Sequence, residues 1–331
     1  MNKRLIAVAI LGAFAATASA QSTVQIYGSV DGGVRYTTNV DAAGDSLLSF
    51  SGKGTNKSNR LGFKGKEDLG NGMDAHFDME SRMMLGDGSQ VGVLFNGQAN
   101  VGIGGAWGSV DLGRVFTPAF KTIVAYDPFH FLYTGIATSI SATMGVDDNN
   151  AVQYNGTFGP ITARAEYAVG QQPGSTQNGS TRALALSYAN GPVSFGGAYT
   201  QKTSLTGLDT NHYTVGGAYR LGAFRATLGY ANQKDRVLLG ADTVTKYTWA
   251  GLRYHVSPVV SFTGAYYRTN KSQAVAIVDG KKDVYMLGGQ YNLSKRTYLY
   301  ADIDRANLSG NMMTAGQTSQ SGFSSGVVKI F

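Results

Sequence analysis

Apolar and polar residues alternate along residues 59–82, which carry the clearest pattern in the chain. Alternation with a period of two places the two sets of side chains on opposite faces of a β-strand. The apolar set comprises Leu61, Phe63, Met73, Ala75, Phe77 and Met79, and the other set includes Arg60, Lys64, Asp74, Asp78 and Glu80. Gly-Asn-Gly at residues 70–72 supplies the positive φ angles that a tight hairpin needs. The pattern therefore predicts a hairpin with one apolar and one charged face.

The same alternation recurs to the end of the chain, starting with a strand over Thr23–Tyr36. A soluble sheet buries its apolar face and turns its polar face to solvent. A membrane barrel places its apolar face against lipid and its charged face around an aqueous interior. The pattern alone leaves both alternatives open.

The first twenty residues predict a signal peptide instead of a strand. Residues 2–4 carry two positive charges, residues 5–16 are apolar, and Ala18-Ser19-Ala20 matches a cleavage site. The apolar run is shorter than the roughly 20 residues that a membrane-spanning helix requires. We therefore expect residues 1–20 to be removed on export and residues 21–331 to form one domain.

The composition favours an all-β chain. The sequence contains 45 glycines, six prolines and no cysteine, and no later apolar run reaches the length of a membrane-spanning helix. The net charge is +7, but the basic residues are spread along the strands and do not form the patch that nucleic-acid binding needs. No nucleic-acid partner is therefore expected.

Counting the alternating segments gives 16 candidate strands, joined by seven short turns and eight longer loops. Strands of about 9–11 residues are long enough to cross a bilayer at a tilt. The even number predicts an up-and-down barrel in which residues 322–331 pair with the first strand. The polar residues 37–58 are predicted to be one of the longer loops.

Aromatic residues recur on the apolar face just before the short turns and at the chain end. These residues are Phe158, Tyr188, Tyr219, Tyr254, Tyr291 and Phe331. A bilayer interface selects aromatic side chains at one fixed height, whereas a soluble core does not. The sequence therefore predicts a 16-stranded antiparallel transmembrane β-barrel.

Residues 116–150 interrupt the rhythm. This interval is the longest without regular alternation, and it is rich in aromatic residues. A loop of this length in a compact fold usually has a function.

Several motifs together resemble the general porins of Gram-negative outer membranes, most closely the β-proteobacterial and neisserial branch. They lie at residues 21–28, 60–72, 107–114 and 293–297 and at the terminal Phe331. The resemblance implies a homotrimer surrounded by outer-membrane lipid and lipopolysaccharide. It also implies passive diffusion of small hydrophilic solutes and ions without a cofactor, and a third long loop, here residues 116–150, folded into the lumen as a constriction.

The resemblance assigns the constriction to Arg60, Glu80 and the loop residue Asp127, with Arg60 facing both carboxylates. Strand parity adds further inward-facing charges to the candidate set: Arg35, Lys64, Asp78 and Arg164. Arg114 has the wrong parity in a regular strand, so either a bulge turns it inward or it lies beyond the strand end. For each charge, the alternative is a solvated residue in a salt bridge without a role in selectivity.

The sequence also departs from this branch. An arginine is usual at the start of the fourth strand, where this chain has Gly97 and Gln98, and another before the sixth strand, where it has Asp147 and Asp148. We therefore expect weak charge selectivity, with a slight preference for anions from the net charge.

Other functions have weaker support. An aromatic track of Tyr126, Phe129, Phe131 and Tyr133 would indicate a solute-specific channel. A hydrolase would need a serine motif that the sequence lacks, so no enzyme activity is expected. The four histidines lack metal-ligand spacing, and Asp147 and Asp148 lack the rest of a calcium-binding loop.

Overall fold

The computed structural model describes residues 23–132, 144–274 and 278–331. The predicted signal peptide, residues 1–20, lies outside them. The described residues form one helix, α1 (Pro118–Tyr126), and seventeen strands. The strands are β1 (Thr23–Thr37), β2 (Leu47–Phe50), β3 (Arg60–Gly70), β4 (Met73–Arg82), β5 (Gln98–Gly105), β6 (Gly108–Phe116), β7 (Asp147–Phe158), β8 (Ile161–Ala168), β9 (Thr181–Asn190), β10 (Val193–Thr203), β11 (Asp209–Leu221), β12 (Phe224–Asp235), β13 (Thr243–His255), β14 (Val260–Gln273), β15 (Gly280–Ser294), β16 (Thr297–Gly310) and β17 (Ser319–Ile330).

Sixteen of these strands form a closed antiparallel barrel. Strand β1 pairs with β17 from Ser29 to Thr37 and with β3 from Thr23 to Ser29, so the sheet has no open edge. Each of the other barrel strands pairs with its neighbours in the chain. The predicted strand number and the closure of the last strand on the first are both confirmed.

The seventeenth strand, β2, corrects the prediction that residues 37–58 form only a loop. Its four residues pair with Val34–Thr37 of β1. Strand β3 begins at Arg60, opposite Ser29. The part of β1 that follows Ser29 therefore has no partner from β3 on that side. Residues 47–50 satisfy the backbone groups of Val34–Thr37 on that side.

The outward face of the wall is apolar, as predicted. Leu228 is 67% exposed and Leu287 is 51% exposed, although both lie in the middle of long strands. Of the six aromatic residues predicted at the bilayer interface, Tyr188 is half-buried because it stacks on Phe195 at 5.2 Å. The other five are exposed. Among the described residues, no helix is long and apolar enough to cross a membrane.

The chain between β2 and β3 folds against the inner wall, which the sequence did not predict. The buried carboxylate of Asp31 on β1 accepts hydrogen bonds from the backbone N–H groups of Asn56 (2.6 Å) and Lys57 (2.8 Å). The Tyr300 hydroxyl on β16 donates a third hydrogen bond to this carboxylate at 2.8 Å. Asp31 therefore anchors residues 56–57 to β1 and β16.

Helix α1 packs against the inward face of the opposite wall. The Thr117 hydroxyl caps its N-terminus by accepting a hydrogen bond from the Phe120 N–H, and Pro118 occupies the first turn. Its buried residues follow helical spacing and face β8–β12: Pro118, Ala119, Thr122, Ile123 and Tyr126. The Trp249 indole N–H of β13 donates to the Tyr126 carbonyl at 3.1 Å, so the end of the helix is bonded to the wall.

A glycine in the wall permits this close packing. A Cβ atom at Gly251 would lie 2.5 Å from the Cβ and Cγ atoms of Pro128, whereas a Cβ at Gly264 on the next strand would meet no atom within 4 Å.

We expect Gly251→Val to destabilise the protein by about 1–3 kcal/mol through overpacking. Loss of the β-sheet circular dichroism signal on heating should occur at a lower temperature in Gly251→Val than in Gly264→Val. Equal melting temperatures would contradict this packing.

Candidate pore-lining site

Five charged side chains from β3, β4, β6 and β7 form a continuous chain of ion pairs on the inner wall. Arg60 contacts Glu80 at 3.1 Å, and Glu80 lies 3.9 Å from Arg82. Arg82 and Arg114 both bind Asp147, at 3.0 and 3.1 Å. We call Arg60, Glu80, Arg82, Asp147 and Arg114 the lumen charge network.

The positive and negative members of this network differ in exposure. The side chains of Glu80 and Asp147 are 2% and 3% exposed, whereas those of Arg60, Arg82 and Arg114 are 31%, 25% and 25% exposed. The carboxylates therefore lie behind the guanidinium groups. The surface that the network presents to the interior is basic.

Arg114 joins the network at a β-bulge in the pairing of β6 with β7, in which β7 carries the extra residue. The pairing of β6 with β7 shifts register between Gly113 and Val115, and Gly113 adopts a φ of +131°. This is the first of the two alternatives predicted for Arg114. Its Nε also donates to the Asn96 carbonyl at 2.9 Å, and its Nη1 donates to Asn149 at 2.6 Å.

Arg82 was not among the predicted site residues, and Asp147 was predicted to lie in the loop. Arg82 follows Glu80 by two residues and pairs across the hairpin with Arg60, so strand parity was sufficient to place it on the inner face. Asp147 and Asp148 begin β7 and do not belong to the preceding loop, which corrects the assignment of residues 116–150 to a loop. Backbone pairing with Val115 and Phe116 of β6 extends β7 to these residues.

Asp127 does not contact Arg60. Its carboxylate accepts hydrogen bonds from the Tyr267 hydroxyl of β14 at 2.9 Å and from the N–H groups of Phe129 and Phe131 at 3.1 and 2.9 Å. The residue is 2% exposed. The described contacts therefore place Asp127 against β14, away from the Arg60–Glu80 pair with which the sequence analysis grouped it.

The remaining candidates also lie on the inner wall. Lys64 is exposed and faces the ring of Tyr27, whose hydroxyl donates to Asp78 at 2.5 Å. Arg35 binds Asp304 of β16 through two hydrogen bonds, of 2.8 and 3.1 Å. Arg164 is half-buried on β8, opposite Asn155 of β7.

Three of the four aromatic residues proposed as a solute track pack against the wall instead. Tyr126 and Phe129 are 2% and 5% exposed, and Tyr133 lies outside the described residues. Phe131 is half-buried and packs on Phe120 at 5.3 Å. Buried rings cannot stack on a passing solute, so Tyr126 and Phe129 do not support a solute-specific track.

The described residues contain no cluster of metal-ligating side chains. Asp147 is paired with two arginines, and Asp148 binds Lys202 of β10 at 2.7 Å. These cations neutralise the two carboxylates that the sequence analysis considered for calcium.

Burial raises the pKa of the Asp127 carboxyl to about 6, despite its three hydrogen bonds and the nearby Arg253 charge. Because the unfolded pKa is about 3.9, the folded protein binds this proton more tightly. The resulting stabilisation is full below about pH 4 and is lost as the pH rises through 6. Raising the pH from 4 to 7 should cost the wild type about 2 kcal/mol more of unfolding free energy than Asp127→Asn.

Urea unfolding in detergent at pH 4 and pH 7 measures this difference. The Tyr267→Phe variant is the control, because it removes one hydrogen bond and keeps the titrating group. An identical pH dependence for the wild type and Asp127→Asn would contradict the buried location of this carboxyl.

Comparison with known proteins gives consistent matches. The family model described as Gram-negative porin matches residues 7–311. The chain is 34% identical to outer membrane porin protein 32 of Delftia acidovorans, with 92% of this chain and 89% of that protein aligned. It is 27% identical to the major outer membrane protein P.IB of Neisseria meningitidis serogroup A, covering 90% and 91% of the two chains. The solved structure of an anion-selective porin from Comamonas acidovorans superposes with a TM-score of 0.80 at 28% identity, covering 94% of this chain and all of the other.

Proposed function

Because this chain belongs to the Gram-negative porins and forms an outer-membrane channel for passive diffusion of small hydrophilic solutes, we propose that the lumen charge network gives the channel a weak anion preference. The observation that carries the proposal is the difference in exposure between the arginines and the carboxylates. In this proposal residues 1–20 are the signal peptide, and the chain acts without a cofactor or enzymatic step.

The physical basis is the distance of each charge from a permeating ion. Exposed guanidinium groups lie closer to the aqueous path than Glu80 and Asp147 behind them, so an anion is attracted more strongly than the net charge of the network indicates. The low-dielectric wall focuses this field into the lumen.

The preference is weak because the buried carboxylates partly cancel the field of the exposed arginines. Asp147 and Asp148 occupy the region where a family arginine is usual, and each is paired with a local cation. We therefore expect a lower anion selectivity than that of the anion-selective porin from Comamonas acidovorans.

We place the constriction between the lumen charge network and the chain around α1. The network lies on β3, β4, β6 and β7, whereas residues 118–131 pack on the inner face of the wall from β8 to β14. Arg60 and Glu80 would then face residues 118–131 across the narrowest section. Lys64, Asp78 and Arg164 would lie on the periplasmic side of it, since they are nearer to the short turns.

Two substitutions separate the effect of exposed charge from that of net charge. Arg60→Gln removes one positive charge, whereas Arg60→Gln combined with Glu80→Gln leaves the net charge unchanged. A unit charge roughly 6 Å from an ion in water contributes about 0.7 kcal/mol, which corresponds to about threefold in permeability ratio. We expect up to this reduction in anion preference for the single variant and a smaller reduction for the double variant.

The reversal potential in a potassium chloride gradient across a planar bilayer measures both effects. The matched control is Arg296→Gln, which removes the same charge from the turn before β16. A preference for cations in the wild type, or no change in the double variant, would contradict the proposal.

We also propose that the channel is a homotrimer, with contacts through the outward face around β1. Apolar side chains continue here beyond the bilayer-spanning part of the strands: Val34, Tyr36, Leu48, Phe50 and Phe323 are all exposed. Cross-strand register brings Tyr36 next to Leu48 and Phe323. An apolar patch at this height is better explained by contact with a second copy than by contact with lipid headgroups.

Leu48→Arg should convert trimers to monomers, because it introduces an unpaired charge into this contact. Native mass spectrometry in detergent gives the number of copies. Asn270→Arg, on the outward face of β14, is the matched control and should leave the trimer intact. Trimers that persist in Leu48→Arg, or monomers in the wild type, would contradict the assignment.

A further inference from the structure

A cavity of about 540 Å³ lies in the inner wall between β1 and β6, beside the lumen charge network. Phe116 and Lys121, at the entry to α1 and within it, line its other side. We call this cavity the wall recess. Its volume lies within the roughly 300–1,000 Å³ that is usual for small-molecule sites. The charged side chains that line it are of both signs: Lys64, Lys66, His76, Asp78, Asp111 and Lys121.

Most of these charged groups already have partners within the protein. Lys66 contacts Asp74 at 2.8 Å, and His76 contacts both Asp74 at 2.8 Å and Asp111 at 2.7 Å. The Lys121 ammonium donates hydrogen bonds to two amide side chains of β7. A solute that entered the recess would have to displace these contacts to bind the same groups.

Lys64 and Asp78 differ from the other charged groups of the recess. They are directly opposite each other in the register of β3 and β4, where opposite charges usually pair. In the described part of the chain, however, neither forms an ion pair. Tyr27 holds each of them in a different contact, because the Lys64 ammonium lies 5.2 Å from the centre of its ring and its hydroxyl donates to Asp78 at 2.5 Å. Two opposite charges therefore line the recess side by side without neutralising each other.

The Gln98 side chain, which also lines the recess, carries an unused hydrogen-bond donor. Gln98 is 7% exposed, and its carbonyl oxygen accepts a hydrogen bond from the Asn100 amide at 2.9 Å. Its amide nitrogen is buried and has no partner among the described residues. Because a buried donor without a partner is costly, this nitrogen favours a polar solute that supplies an acceptor.

We propose that the wall recess binds free α-amino acids on their way through the channel, with the ammonium group on Asp78 and the carboxylate on Lys64. Both contacts are charge-assisted hydrogen bonds, which are stronger than neutral ones. An α-amino acid carries its two charges on either side of one carbon atom, so it fits between side chains at directly opposite strand positions. A simple anion or cation neutralises only one of the two residues. The proposal depends on the aqueous channel and is independent of the anion preference.

The test measures binding of L-alanine to the purified full chain in detergent micelles by saturation-transfer NMR titration at slightly acidic pH. L-lactate, with a hydroxyl in place of the ammonium group, and L-alaninamide, without the carboxylate charge, are the matched probes. Each lacks one charge-assisted hydrogen bond and should bind about tenfold more weakly than L-alanine.

The recess variant, Lys64→Gln with Asp78→Asn, should also bind L-alanine at least about tenfold more weakly, because it removes both contacts. Its net charge equals that of the wild type. The matched control is Asp45→Asn with Lys295→Gln, which removes the same two kinds of charge from an exposed loop and an exposed turn. The control should bind L-alanine as the wild type does.

A second variant, Tyr27→Phe, tests the recess with both charges in place. It removes the hydroxyl that holds Asp78, so Asp78 can pair with Lys64, and binding of L-alanine should weaken severalfold. The proposal is overturned if L-lactate or L-alaninamide binds the wild type as tightly as L-alanine does. It is also overturned if the control loses as much affinity as the recess variant, or if Tyr27→Phe binds L-alanine unchanged. Reversal potentials of the same variants in planar bilayers report separately on the channel and its anion preference.

Discussion

Backbone hydrogen bonding in hydrocarbon is the constraint on which the rest of this structure depends. A peptide group that faces lipid has no water to bond, so every strand must find partners on both sides. The pairing of β1 with both β3 and β17 meets this requirement. Once the sheet closes, strand parity assigns each side chain to lipid or to the lumen. The outward apolar band and the inward charges are both consequences of closure.

Closure also explains where the ion pairs form. Facing strands bring Arg60 beside Glu80, and Arg82 and Arg114 around Asp147. A carboxylate packed against the wall loses hydration, and a paired guanidinium compensates for that loss while its planar group reaches the aqueous interior. The lumen therefore acquires a basic surface from a network with nearly balanced charge. The net charge of the chain alone does not describe this arrangement.

The sequence was sufficient to predict the features that depend on local pattern. The alternation around Phe63 and Phe77, and the Gly-Asn-Gly turn at residues 70–72, define a hairpin without knowledge of other strands. It was also sufficient to place Arg35, Arg60 and Lys64 on the inner face by parity. The Thr117-Pro118 start of α1 and the helical spacing of Ala119, Thr122 and Ile123 were readable signals that a search for strands alone overlooked.

Features that depend on contacts between distant residues were not predictable in this way. Asp31 looks like one more polar position on β1, and only the fold shows that it anchors Asn56 and Lys57. Asp127 was grouped with Arg60 by resemblance, but the Tyr267 hydroxyl and two backbone N–H groups hold it against β14. Strand β2 forms because β3 begins too late to pair with all of β1, which no local pattern encodes.

The most direct test of this account measures the surroundings of two adjacent residues. The chain has no cysteine, so Phe63→Cys and Lys64→Cys can each carry a single spin label in reconstituted bilayers. The account predicts that the label at position 64 collides with a water-soluble nickel chelate and that the label at position 63 collides with oxygen dissolved in lipid. Equal accessibility at the two positions, or the reverse pattern, would contradict a closed barrel with an aqueous interior.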